Sequence, residues 1–284
     1  MTKLPKLTAL TLATLLHDPV DAQERKPAAE WITVATGALP IILSAPHGGR
    51  ASIPELSPRR GVGVPQFTTE RDSNTAELAE ALAEKLAGRL GAQPFLVIAR
   101  FERKYVDANR AQAAAFESPG AKIYYDAYHW ALASAVAKVR HIWGTGLLLD
   151  IHGQGAERDT IFRGTDNHSS VAALVKSFGR EAVTGSKSIL GQMTLRGYKV
   201  EPGSNERERR YTGGHTTRTY DSHREGGVDA IQLEFGANLR AKNNLERTAD
   251  DLAHAIEIFA RAYLPLAARG AQELPAMESV PLLR

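Results

Sequence analysis

The sequence predicts a layered α/β fold with a largely parallel or mixed sheet. Apolar runs of strand length alternate with amphipathic helical stretches along the chain. Its 284 residues are 43% apolar and 24% charged, proportions that suit a globular chain and exclude general disorder or a collagen-like fibre. No internal repeat or low-complexity linker divides it. One α/β domain is therefore expected over residues 29–268, between an N-terminal arm over 1–28 and an irregular tail over 269–284.

The arm carries a short apolar run, Leu7 to Leu16, behind Lys3 and Lys6 and ahead of Val20-Asp21-Ala22. It reads either as a loose arm or as a weak secretory signal. The expected compartment is the cytoplasm, with a periplasmic or secreted location if residues 1–22 act as a signal. No apolar run reaches the roughly 18 residues of a membrane span.

Trp31 to Thr36 and Leu39 to Ser44 read as two β runs joined by a tight turn at Gly37-Ala38, the second apolar on both faces and so a buried strand. Asn74 with Glu77 resembles a capping box ahead of Leu78, Leu82, Leu86 and Leu90, which predicts a helix ending at Gly91. Pro94 to Arg100 is the next buried strand, and Tyr124 to Trp143 the next helix, its aromatic cluster suited to packing on the sheet. Gly146 to Ile151 and Val228 to Phe235 are further strands, and Asn243 to Leu264 is an amphipathic helix. Residues 185–227 have little periodicity, and so long an irregular segment in a compact domain is expected to border a functional site.

With no cysteine, the chain has no disulfide framework, thiol nucleophile or thiolate metal site, so any metal must be held by His, Asp or Glu. Its 35 Lys and Arg nearly balance 32 Asp and Glu. The densest charged stretch, Glu206-Arg207-Glu208-Arg209-Arg210, mixes signs and reads as a solvated loop; no nucleic-acid partner is expected.

Three strands end in polar residues that a core does not select. The strand Leu39 to Ser44 runs into Pro46-His47-Gly48-Gly49, the strand from Gly146 into Ile151-His152-Gly153, and the last into Glu234-Phe235-Gly236. In open α/β sheets, ligands sit outside the carboxyl ends of the strands, so these ends converge on one crevice. Two imidazoles and a carboxylate are a common ligand set for a catalytic zinc, and a second, unliganded carboxylate can take a proton from water. Taken singly, His47 or His152 also suits a turn residue bonding a carbonyl. Asp150, pointing to the same side as His152, suits either a partner that orients an imidazole or a cap. Glu234, late in an apolar strand, is the best candidate general base. Arg103 and Arg110 offer planar forks for a carboxylate on either side of Asn109; a salt-bridge cluster with Glu102 and Asp107 is the alternative. His215 and His223 read as exposed or substrate-contacting.

In order, the segments Ser44 to Arg50, Asp72 to Leu78, Arg103 to Arg110, Tyr125 to His129, Leu149 to Gly153 and Gln232 to Gly236 resemble the N-formylglutamate amidohydrolases, over roughly residues 30–262. The resemblance implies a three-layer α/β/α fold around a mixed, largely parallel sheet, similar to the zinc carboxypeptidases and aspartoacylases. It also implies hydrolysis of the amide of a small acidic N-acylated amino acid. By this resemblance His47, Asp72 and His152 hold one Zn2+, and Glu234 is the base. Asn109 and Arg110 grip the substrate α-carboxylate, while Arg103 polarises the scissile carbonyl or holds a second carboxylate. Zinc carboxypeptidases take a ligand three residues after the first histidine, where this chain has Arg50; Asp72 takes that role here, with Glu70 the fallback. Gly153-Gln154-Gly155 replaces a serine-rich continuation found in many members and leaves acyl specificity open. Arg163 and Thr212-Gly213-Gly214 are candidate substrate contacts or surface-loop residues. The competing readings are a zinc peptidase or deacylase with another acyl or peptidyl substrate, and a non-catalytic anion-binding module.

Overall fold

The computed structural model describes residues 31–204 and 206–268. The expectations for the N-terminal arm and the tail from 269 onward lie outside these residues. The strands are β1 (Ile32–Ala35), β2 (Ile41–Ala45), β3 (Phe95–Ala99), β4 (Leu147–Gln154), β5 (Thr160–Gly164), β6 (Lys199–Glu201) and β7 (Asp229–Gly236). The helices are α1 (Thr75–Leu90), α2 (Gln112–Ala115), α3 (Lys122–Trp143), α4 (Ala172–Phe178), α5 (Glu181–Thr184), α6 (Ile189–Leu195), α7 (His215–Tyr220) and α8 (Leu245–Tyr263).

The strands form one seven-stranded mixed sheet in the order β1-β3-β2-β4-β7-β5-β6. Its centre, β3-β2-β4-β7, is parallel; β1 runs antiparallel on β3, and β5 antiparallel on β7. The expected turn at Gly37-Ala38 therefore makes no hairpin. β3 lies between β1 and β2, because a buried strand with both edges free pairs more apolar neighbours by entering the parallel centre.

Alternation along the central strands gives each sheet face its own helical layer. Ile41, Leu43, Leu147, Leu149, Ile231 and Leu233 pack with the apolar stripes of α1 and α8. Ile42, Leu148 and Ala230, one residue out of phase, pack with Tyr128, Leu132 and Val136 of α3. The result is the three-layer α/β/α arrangement expected. Ser44, Asp150, His152, Gln232 and Glu234 continue the α3-facing series, which carries the polar ends of β2, β4 and β7 to the same side of the sheet.

Helix α1 forms as its leucine spacing predicts, but not with the expected capping box. Asn74 makes no side-chain cap; it sits in the left-handed region at φ 65°. Its Nδ2 donates to Arg240 O at 2.9 Å, while Arg50 donates to Asn74 Oδ1 and to Glu77. Long-range partners took both side chains. No helix of the described residues is long and apolar enough to cross a membrane.

His129 of α3 ties the layer to the loop before α2 and to α7: Nε2 donates to Ala108 O at 3.0 Å, and Nδ1 lies 3.0 Å from the Tyr220 hydroxyl. Burial, reinforced by nearby His215, lowers its pKa from 6.5 to about 4. Because the folded value is depressed, protonation favours the unfolded chain. This residue's contribution is complete above the unfolded value near 6.5 and is lost as pH falls toward 4. The urea midpoint of the wild type is expected to fall more steeply across that interval than that of His129→Gln, and parallel curves would refute the assignment.

Candidate active site

Register places the central residues. His152 and Glu234 are in-register partners on β4 and β7, as are Asp150 and Gln232 one pleat earlier. His47 follows β2, where its carbonyl accepts from Asp72 N at 3.1 Å, so the start of α1 brings Asp72 beside it. All six residues are buried.

His47 and His152 are held in the same way. His47 Nε2 donates to Asp107 Oδ1 at 2.7 Å, and His152 Nε2 donates to Asp150 Oδ2 at 2.8 Å. Each bond fixes the ring and leaves Nδ1 beside Asp72. The rings are 4.9 Å apart between centroids. Asp72 Oδ2 lies 3.2 Å from His152 Nδ1 and 3.4 Å from His47 Nδ1, and accepts from Gly153 N at 3.1 Å. One ligand atom from each of His47, Asp72 and His152 lies within 4.8 Å of the others, a group that could hold a metal ion. The donor set fits a divalent cation on two counts. His47 Nδ1 is buried without a hydrogen bond, and the three carboxylates Asp72, Asp107 and Asp150 call for positive charge beside the imidazoles.

The electrostatics are consistent with this demand. Burial by itself raises the Asp72 carboxyl, but the charges and hydrogen bonds of His47 and His152 outweigh it and hold it well below the ordinary carboxylate range. Asp107 behaves alike: burial is opposed and overcome by His47 and then by Arg103. Burial lowers His152, yet Asp150 and Asp72 hold it well above its usual value. Glu234 is the exception among the carboxyls. Burial raises it to about 7, with His152 opposing and Asp72 reinforcing.

These residues open into a cleft of about 780 Å³. Arg103 lines it, with Nε on Asp107 Oδ2 at 2.9 Å and Nη1 at 3.7 Å from Asp72 Oδ1. Arg110 lines it too, and among the described residues its guanidinium donates to the carbonyl oxygens of Asn109 and Gln66 alone. Asn109 is buried in the wall, where Oδ1 accepts from Thr216 N at 2.7 Å and Nδ2 reaches toward Gln232. Glu70 is exposed at the rim, outside the group of possible metal ligands. Thr212-Gly213-Gly214 lines the cleft as expected. Arg163 does not: it is 2% exposed and its Nε donates to Glu208 at 3.1 Å, so its charge is spent on a buried ion pair. His215 is half-buried on α7 rather than free in solvent.

Matches to known proteins agree with this architecture. The structure of N-formylglutamate amidohydrolase from Ralstonia eutropha superposes with a TM-score of 0.55 at 16% identity, over 82% of this chain and 98% of that one. A gene product of Agrobacterium tumefaciens superposes with a TM-score of 0.51 at 18% identity, over 81% and 94% of the two chains. The chain shares the fold of that amidohydrolase. No protein-family profile matches the chain, and neither does any curated protein. The likeness to these two structures is one of fold.

Sequence reasoning missed Arg240. Its guanidinium is buried and donates to Ser73 O, to Phe235 O at 3.1 Å and to Gln154 O at 3.3 Å. These carbonyls lie next to Asp72, next to Glu234 and two residues past His152. Gly153 admits the clamp, since a Cβ there would lie 2.5 Å from Arg240 Nε. Asp107 was visible as a partner of Arg103, but its bond to His47, 60 residues away, leaves no local signal.

His152→Ala is expected to lose stoichiometric binding of a divalent metal ion after equilibrium dialysis, and Asp107→Asn to weaken that binding by about 10–100-fold with the fold intact by circular dichroism. Undiminished metal binding in the first variant would overturn the ligand set.

Proposed function

We propose that this protein is a metal-dependent amidohydrolase that cleaves the amide of a small acidic N-acylated amino acid of the N-formyl-L-glutamate kind, releasing the acid and the free amino acid. The observation that carries this reading is the buried His47–Asp72–His152 group beside Glu234 in a cleft lined by arginines. His47, Asp72 and His152 would hold the ion, which we assign as one Zn2+ per chain. When bound, it supplies Lewis acidity toward an amide carbonyl and toward water. The single catalytic domain is assigned to residues 29–268.

Glu234 receives the proton of the attacking water and returns it to the leaving nitrogen. A carboxyl raised to about 7 exchanges protons readily near neutrality, and Gln232, whose Nε2 donates to Glu234 Oε1 at 2.8 Å, orients it. Arg103, oriented by Asp107, directs positive charge toward the scissile carbonyl, where negative charge grows in the transition state. Arg110 takes the substrate carboxylate: among the described residues no carboxylate forms an ion pair with it, and a guanidinium fork suits bidentate binding. Asn109 completes the carboxylate grip and keeps the start of α7 against it through Thr216. Arg163 leaves the substrate-binding set, because its fork is already occupied by Glu208.

The deciding experiment is formate release from N-formyl-L-glutamate by Zn2+-loaded protein, with and without chelator; release that a chelator abolishes is expected, and chelator-resistant release would refute metal dependence. Glu234→Gln is expected to keep bound Zn2+ and lose about 10²–10⁴-fold in turnover. For Arg110→Ala, KM is expected to rise about tenfold or more with a smaller change in kcat, since carboxylate binding persists through the reaction; an unchanged KM would remove Arg110 from the site.

A further inference from the structure

The stretch Glu206-Arg207-Glu208-Arg209-Arg210, which reads as a solvated loop, is anchored at its middle. Glu208 is 5% exposed and accepts four hydrogen bonds: from Arg163 Nε at 3.1 Å, Thr165 N at 2.8 Å, Thr165 Oγ1 at 2.5 Å and Asn167 N at 3.0 Å. Its own N–H donates to Asn167 Oδ1 at 3.0 Å. A carboxylate so buried is stable only with such a donor set. The chain just beyond is pressed on the end of β5, where a Cβ on Gly164 would lie 2.3 Å from Tyr211 O and 2.6 Å from Gly213 N. The backbone between these two fixed points presents its arginines outward in a set position.

Those arginines stand between two cavities. Arg209 and Arg210 line both the cleft of the candidate active site and an adjoining cavity of about 550 Å³, whose other walls include Arg207, Phe162 and Pro202. Arg210 lies over the Tyr211 ring at 5.8 Å. Among the described residues no carboxylate pairs with Arg207, Arg209 or Arg210; of the two acids in the same cavity, Glu201 is paired with Lys199 at 3.1 Å and Glu206 accepts from Gly203 N at 3.4 Å, so the three arginines outnumber the one unpaired carboxylate. Size points the same way as charge. An N-formyl amino acid of about a dozen non-hydrogen atoms is far smaller than the ligands that fill pockets of about 300–1,000 Å³, and the cleft of about 780 Å³ adjoins the second cavity across Arg209 and Arg210.

We propose that the two cavities form one groove for an elongated substrate bearing several carboxylates, an N-acylated acidic peptide, with Arg209 and Arg210 at the junction and Arg207 holding a distal carboxylate. The proposal deepens the amidohydrolase reading and rests on it only for the scissile end. Glu208 and Arg163 are positioning residues, since neither reaches the groove.

The test measures binding to the full, Zn2+-loaded chain by calorimetry, using N-acetyl-glutamate, N-acetyl-triglutamate and N-acetyl-triglutamine. Triglutamate is expected to bind at least about tenfold more tightly than the single residue, the increment of a charge-assisted contact, and triglutamine to show no such gain. Arg207→Ala, an exposed substitution that leaves folding intact, is expected to bring the ratio of the two glutamate affinities close to one, and Arg207→Lys to restore part of it. Equal affinities for the two glutamate ligands, an equal gain with triglutamine, or an undiminished ratio in Arg207→Ala would each overturn the groove. Because binding is read without turnover, the two readings fail separately. Formate release with no gain from chain length removes only the groove, and a length-dependent gain in a protein that hydrolyses none of these amides removes only the hydrolase.

Discussion

Two hydrogen bonds organise the centre of this protein: His47 Nε2 to Asp107 and His152 Nε2 to Asp150. Each fixes the orientation of its ring, so that both Nδ1 atoms lie beside Asp72. The carboxylates are stable in the interior because other groups neutralise or bond them. Arg103 and, at 3.8 Å, Arg59 face Asp107, while Ser44 donates to Asp150 at 2.5 Å. Removing one partner of such a buried pair strands a charge, which is costlier than the pair is stabilising. The parallel centre of the sheet makes the arrangement possible, since it delivers the ends of β2, β4 and β7 at one level.

Much of the scaffold was legible in the sequence because strand and helix periodicities are local. The central strands, α1, α3 and α8 follow from them. The polar endings at His47, His152 and Glu234 stood out because a core strand has no other use for them. What was hidden depends on contacts distant in sequence. Strand order is one case: the turn at Gly37-Ala38 suggested neighbouring strands, whereas burial on both faces drew β3 between them. Asn74 is another, since its amide serves the carbonyl of Arg240, 166 positions away, instead of capping its own helix. β6 was lost in the stretch without periodicity over 185–227, and β5 was not anticipated at all, because short strands at the sheet margin are set by pairing more than by pattern.

The charged stretch before α7 shows why composition alone misleads at single residues. Glu206 and Glu208 are the same residue type two positions apart, but one is exposed and the other is enclosed by donors from β5 and the turn after it. Their difference lies in what the opposite wall offers. Arg163, expected at the substrate, supplies that wall. An arginine at a strand end is therefore equally suited to receiving a ligand or a loop, and only the fold decides between them.

The Arg240 clamp has a consequence for how this chain can vary. One guanidinium spans the carbonyls of Ser73, Gln154 and Phe235, and the helix that follows is stitched to the same turn by Thr248 Oγ1 donating to Leu239 O at 2.7 Å. The link from Phe235 to Arg240 thus works as a ruler: adding or deleting a residue within it would shift the clamp away from all three loops at once. The short turn after β7 is therefore bound to a fixed length.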